Sequence, residues 1–323
     1  MQERARLITT CERRETAIGV PFSCNNIYHQ SFHAVPAWEH WREMARIHSR
    51  KADGADVDYL PLIYPSAAVG KKMSVDPRKW HAWEFSIRPY TSRPYEELAA
   101  RTAQLLRPGS CVCYDRVFAN APAFNPIARR SASRMRAFRA AALLRSKPFA
   151  LAGGLLDMAA SIAGGITAPS SARTILWVVR RHALRNINND GQLAARVQAD
   201  AQLASRIRRV ELERMALSEQ MHLFAGASAL LAVHGQAMAW VLFLPSGERR
   251  TAAVEIFPVG LRNPIYQELS TSLGTRYESL KAATAPGCGD SHKVEARLMC
   301  NVTVNVEKVV RAVESMARWT AAG

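Results

Sequence analysis

Residues 174–179 (TILWVV) are followed by Arg180 and Arg181, then Arg185, then Asn189-Asp190, a spacing of R-x4-R-x3-N-D. Arginine at the carboxyl end of a strand offers forked donors to phosphate oxygens. Further on come Ser218-Glu219-Gln220, and then residues 230–233 (LLAV), which end in His234-Gly235. A His-Gly turn lets backbone approach a ligand and opens a helix whose N-terminal N–H groups and dipole favour an anion. In Val254-Glu255-Ile256 the carboxylate ends another apolar run, where it could accept hydrogen bonds from ribose hydroxyls. Together these residues describe a diphosphate pocket. Taken singly, each has an ordinary structural reading: solvated arginines, a satisfied core histidine and a glutamate that caps the following loop.

Such a set needs elements to carry it. The pattern predicts a strand at 174–179, a helix over about 190–207, a short strand at 208–212 and a helix over about 218–226. A strand at 230–233, a helix at 236–243 and a strand at 252–257 follow. This alternation predicts βαβ units and a parallel sheet, with the ligand at the carboxyl ends of the strands. Residues 302–319 read as a strand and a closing helix. Upstream, residues 20–125 mix short apolar runs with proline-containing turns such as 59–65 (YLPLIYP). Helical stretches near 29–48 and 94–106 and a buried strand at 111–118 (CVCYDRVF) complete a mixed α/β first half. Residues 129–147 hold seven basic residues and no acid, and predict one solvated helix. Glycine pairs and Pro169-Ser170-Ser171 make 151–172 a linker. The expected organisation is an N-terminal domain 1–150, the linker, a second domain 173–290 and a closing segment 291–323.

The 323 residues are 48% hydrophobic and 22% charged, a globular composition that excludes disordered and collagen-like classes. Of the 43 basic residues only 8 are lysine, and against 27 acids they give a formal +16. Clustered arginine invites a nucleic-acid or anionic-surface reading; Arg-rich and Ala-rich usage from base bias is the plainer one. G-x-G-x-x-G, Walker A, G-x-S-x-G and H-E-x-x-H are all missing, which removes the common dehydrogenase, P-loop, hydrolase and zincin signatures. Asp56-Val57-Asp58 lacks the apolar strand that would present two carboxylates to a metal, and His29 and His33 lack a third ligand nearby. The six cysteines have no zinc spacing. Their even count is compatible with disulfides, with Cys288 and Cys300 the pair to test. The first fifteen residues hold no apolar run of signal-peptide length. Residues 223–244 carry no Asp, Glu, Lys or Arg, yet Gly226, Gly235 and the His234-Gly235-Gln236 break predict a buried helix, strand and helix, not a membrane span.

Taken together, these residues resemble glycosyltransferase family 61, which includes secretory-pathway protein O-GlcNAc transferases and plant xylan arabinosyl- and xylosyltransferases. The family pattern is a strand followed by S-R-x4-R-x3-N-E, an E-Q helix, H-G-A-x-L-T-N-x-x-F-x-P and V-x-E. It is matched at Arg180, Arg185, Asn189, Glu219, Gln220, His234, Gly235, Phe243, Pro245 and Glu255. Asn26-Ile27-Tyr28-His29 resembles the family's N-x-Y-H helix start, Tyr114-Asp115-Arg116-Val117 its first-domain strand, and Leu273-Gly274 with Tyr277 its later G-x-x-Y.

The resemblance implies a GT-B fold: two Rossmann-like domains facing a cleft, with a nucleotide-sugar donor, a UDP-sugar, on the second and a glycan or glycoprotein acceptor on the first. It implies inversion at the anomeric carbon, no essential metal and no nucleic-acid partner. The general base falls to His29, with His33 or Asp115 behind it. The donor falls to Arg180, Arg185, Asn189, Ser218, Glu219, Gln220, His234, Gly235 and Glu255. A Golgi or endoplasmic-reticulum lumen location is implied, with membrane contact only through an anchor not visible in this chain. Val179 stands where the family has serine, Gln236 where it has alanine, and Trp240 where an asparagine would face the nucleotide region. These departures keep a second expectation open, a catalytically silent member that binds nucleotide or glycan.

Overall fold

The computed structural model describes residues 12–22, 38, 60–65, 112–119, 132–145, 173–180, 185–283 and 300–322. The chain divides into two compact units, 1–127 with 133–147, and 128–132 with 148–323.

In the first unit β1 (Glu12–Phe22), β2 (Leu60–Pro65) and β3 (Val112–Ala119) form a parallel sheet in the order β2-β1-β3. The expected turn at 59–65 is therefore an edge strand, paired from Ala17↔Leu60 to Phe22↔Pro65. Proline cannot donate to a ladder, and an edge position leaves one side of each proline unpaired. Helix α1 (Ala132–Arg145) occupies the basic stretch. It is not wholly solvated: Met135, Phe138, Arg139, Ala142 and Leu143 are buried at helical spacing, and Phe138 meets Trp38 edge-on with centroids 5.9 Å apart.

The second unit contains α2 (Asp190–Gln198), α3 (Ala201–Ala204), α4 (Leu217–Gly226), α5 (Ile265–Leu273) and α6 (Val306–Ala321). Its strands β4 (Ile175–Val178), β5 (Ile207–Val210), β6 (Ala229–Val233), β7 (Ala252–Phe257) and β8 (Arg276–Lys281) form one parallel sheet in the order β5-β4-β6-β7-β8. The three central strands, ILWV, ALLAV and AAVEIF, are buried at every position and apolar except at Glu255, as strands covered on both faces of a parallel sheet are. The outer strands, IRRV and RYESLK, carry charge and are partly exposed. That charge hid β8 from the sequence reading. Alternate residues Ile175, Trp177, Leu231, Val233, Val254 and Ile256 join one core with Leu193 and Val197 of α2 and Val309, Val313 and Met316 of α6. The period of two turns Glu255 to the opposite face.

The single helix expected over 190–207 is broken at Asp200, whose side chain accepts from the N–H groups of Gln202 (2.9 Å) and Leu203 (3.1 Å) and starts α3. Residues 223–244 resolve into the end of α4, β6 and a helix at Gln236–Phe243, the expected helix, strand and helix, with the last of 3-10 type. Among the described residues no helix is long and apolar enough to cross a membrane.

Candidate functional site

The sheet order puts β4 between β5 and β6, so the chain leaves β4 for one neighbour and later returns on the other side. In such sheets the ligand crevice opens at the carboxyl ends flanking that reversal. A cleft of about 570 Å3 lies there, lined by Trp177 to Arg180 from β4 and its end, Arg185 to Ile187, Asp190 and Gly191 at the start of α2, Arg209 of β5, Ala232 and Val233 of β6, and Ala237.

Arg180 and Arg185 both line this cleft, as the sequence suggests. Arg180 Nε lies 3.5 Å from Glu213 Oε1 at an exposed position, a weak restraint in water. Arg185 has φ +73, the described non-glycine residue with a left-handed backbone. Its Nη1 donates to the His234 carbonyl (3.1 Å), while its Nε is buried without a partner. Burial, and secondly the charge of Arg180, lower its pKa, the sign expected of a cation held out of water beside another cation. Gly235 makes room for it: at φ +146, a Cβ there would stand 2.2 Å from Arg185 Nη1.

Arg209 of β5 also lines the cleft, although the motif spacing does not mark it. Arg209 lies over the Trp177 ring, Cζ to centroid 4.7 Å, and its Nη2 meets Asp190 Oδ2 at 2.5 Å. The register Trp177↔Arg209 puts the two side by side on one face. Two adjacent arginines in the four-residue strand IRRV are the available signal.

The other expected donor residues hold the scaffold. Asn189 bonds Val304 reciprocally, Nδ2 to the carbonyl at 2.9 Å and Oδ1 from the N–H at 3.0 Å. Glu219 reaches back to the Ala216 N–H (2.6 Å) and caps α4. Gln220 Nε2 donates to the carbonyls of Leu212 (2.9 Å) and Met215 (3.0 Å). Neither these nor Ser218 line the cleft. Glu255 is wholly buried: Oε1 takes His234 Nδ1 at 2.5 Å and Oε2 accepts from the Tyr277 hydroxyl. Both oxygens are engaged on the sheet face away from Trp177 and Val233, so a ribose finds no free carboxylate there. The His234 ring is buried between Phe257 (stacked, 4.9 Å) and Tyr266 (edge-on, 5.5 Å), and its backbone carbonyl is what reaches Arg185.

Trp240 also departs from expectation. It stacks on Phe224 with centroids 5.2 Å apart and meets Phe243 at 5.4 Å, in the core and away from the cleft. Val179 is a buried cleft wall. Asp115 lies in β3, while His29, His33, Asp56, Asp58 and Cys288 fall outside the described residues. Among the described residues no group of three His, Cys, Asp or Glu could hold a metal.

No curated protein matches the chain. The sequence model of the family described as Glycosyltransferase 61 matches residues 6–251, a span that includes both cleft arginines of the R-x4-R motif and the His-Gly turn. The match covers more than half of the chain, and the chain therefore belongs to glycosyltransferase family 61.

Proposed function

We propose that the chain is an inverting glycosyltransferase that moves a sugar from a nucleotide-sugar donor, a UDP-sugar, to a glycan or glycoprotein acceptor, with the donor diphosphate in the cleft at the ends of β4 and β6. One observation carries this reading: Arg180, Arg185 and Arg209 line a single cleft in which the one carboxylate among the described lining residues, Asp190, is already paired with Arg209. The surplus positive charge matches a diphosphate.

In an inverting transfer the acceptor hydroxyl attacks the anomeric carbon, a base takes its proton, and the bond to the diphosphate oxygen breaks. Arg180 and Arg185 are suited to the charge that develops on the leaving group, a role that needs no metal. His29, with His33 or Asp115 behind it, is our choice of base in a GT-B arrangement of the two units. Removing such a base costs about 10²–10⁴ in rate. Cys300 is disulfide-bonded, which favours an oxidising compartment such as the Golgi or endoplasmic-reticulum lumen, with membrane contact through an anchor.

UDP is expected to raise the melting temperature, and Arg180→Ala to abolish the shift. A folded sample that no uridine nucleotide stabilises would overturn the reading. UDP binding without UDP release from any UDP-sugar, with or without an acceptor array, would instead identify a silent binding module.

A further inference from the structure

Arg185 works in the cleft, yet it is held from outside it. Three features converge on its guanidinium. Its own backbone sits at φ +73, unusual for a side chain of this size. Gly235 offers a bare Cα where any side chain would collide with Nη1 at 2.2 Å. The His234 carbonyl accepts from Nη1 at 3.1 Å. That carbonyl is in turn fixed by the residue that bears it. His234 N–H donates to the Ile256 carbonyl (2.8 Å), and its ring is clamped by Phe257, Tyr266 and Glu255. Glu255 has one further partner, the Tyr277 hydroxyl on the neighbouring strand β8.

A carboxylate with no solvent exposure is costly unless it is fully hydrogen-bonded. Two oxygens and two donors satisfy that condition here, so the arrangement of His234, Glu255 and Tyr277 is rigid. The phenol stays protonated, because burial and then the charge of Glu255 raise its pKa.

We propose that Tyr277 and Glu255 are positioning residues for Arg185: the buried chain from Tyr277 through Glu255 to His234 fixes the carbonyl that aims the Arg185 guanidinium at the diphosphate subsite, and Gly235 is the clearance it requires. This rests on the donor-site reading. Of Tyr277, Glu255, His234 and Arg185, only Arg185 lines the cleft. Both Glu255 and Tyr277 lie beyond the family-matched residues 6–251.

A double-mutant cycle tests it, because a residue that acts through Arg185 has nothing left to act on once Arg185 is gone. Calorimetric affinities for UDP and for inorganic pyrophosphate would be measured on wild type, Tyr277→Phe, Arg185→Ala and the double variant. Tyr277→Phe is expected to weaken both ligands about tenfold in the wild-type background, the scale of one charge-assisted hydrogen bond, and to cause no further loss beside Arg185→Ala. An equal loss in both backgrounds, or none in either, overturns the proposal and leaves Tyr277 a core residue. If Arg185→Ala leaves both affinities unchanged, the donor-site reading of Arg185 fails first, and the positioning role with it. If Tyr277→Phe does not fold, Glu255→Gln enters the same cycle, since its amide oxygen still accepts from His234 Nδ1 while the charge is lost.

Discussion

At the scale of single residues, the buried carboxylate of Glu255 carries the sharpest consequences. Removing the Tyr277 hydroxyl leaves Oε2 desolvated and unpaired, so Tyr277→Phe is expected to cost about 1–3 kcal/mol in urea denaturation. The same contact gives the protein an alkaline limit. Tyr277 has a pKa raised above its usual 10.0, so below about pH 10 it is protonated whether the chain is folded or not, and contributes no pH dependence. Above that pH the unfolded chain loses the proton that the folded one keeps, so stability falls as pH rises. Denaturation series at pH 9 and 11 should show this loss in wild type and a smaller one in Tyr277→Phe. Trp240 makes a different case. The family pattern suggests an asparagine facing the nucleotide, whereas the indole is stacked on Phe224. Trp240→Asn should therefore cost about 3–5 kcal/mol, as deletion of a buried aromatic does, and leave the UDP-induced shift intact at a temperature where the variant is folded.

At the scale of elements, Asn189 shows how a motif residue can serve the site without touching its ligand. Its amide closes a two-way bond with Val304, beside the parallel bridge Ile187↔Val302 in which Val302 N–H meets the Asn186 carbonyl at 2.8 Å. Asn189 thus ties the segment that leads into α6 to the loop that opens α2, and Asp190, the first residue of α2, lines the cleft. Asn189→Ala is expected to lower stability by about 1–3 kcal/mol and to raise hydrogen exchange at the Val304 amide; protection there equal to wild type would show that the tie is redundant. The central strands were legible because parallel strands buried on both faces read as near-continuous apolar runs, as TILWVV, LLAV and, but for Glu255, the run at 252–257 do. The outer strand β8 was not, since RYESLK mixes charged and exposed residues with half-buried ones and, among the described residues, pairs with β7 alone. Arg180 and Arg185 were legible as cleft residues because they follow the apolar run 174–179 at the carboxyl end of a central strand, where such sheets open their crevice. Spacing alone could not separate Asn189, Glu219, Gln220 and Glu255 from ligand contacts, because side-chain amides and carboxylates cap and bridge backbone with the same atoms they would offer a sugar.

At the scale of the whole molecule, the formal +16 has to be reconciled with a small anionic ligand. In the second unit much of the arginine is committed to the fold. Arg206 donates to the Ala317 carbonyl at 2.6 Å and to Thr320 Oγ1 at 2.8 Å, holding the end of α6, where a cation complements the helix dipole. Arg249 reaches the carbonyls of Ala225 and Gly226 at the end of α4, and Arg250 and Arg276 lie over the Trp319 ring with Cζ at 4.5 and 5.5 Å from its centroid. Arg196 and Arg209 are paired with Glu307 and Asp190. These cations are spread over helix ends and indole faces, whereas a nucleic-acid surface requires a continuous stripe at phosphate spacing. Among the described residues of the second unit, Arg180, Arg185 and Arg209 gather at one cleft. Duplex DNA and single-stranded RNA are therefore expected to show no mobility shift with the purified protein at about 50 mM salt, where a binder that neutralises many phosphates is strongly retained. UDP should still stabilise the same sample at about 150 mM salt, because charges withdrawn from solvent are screened less than exposed ones. Retention of either nucleic acid with a steep salt dependence would return the +16 to a polyanion partner, and the cleft arginines would then be only part of it.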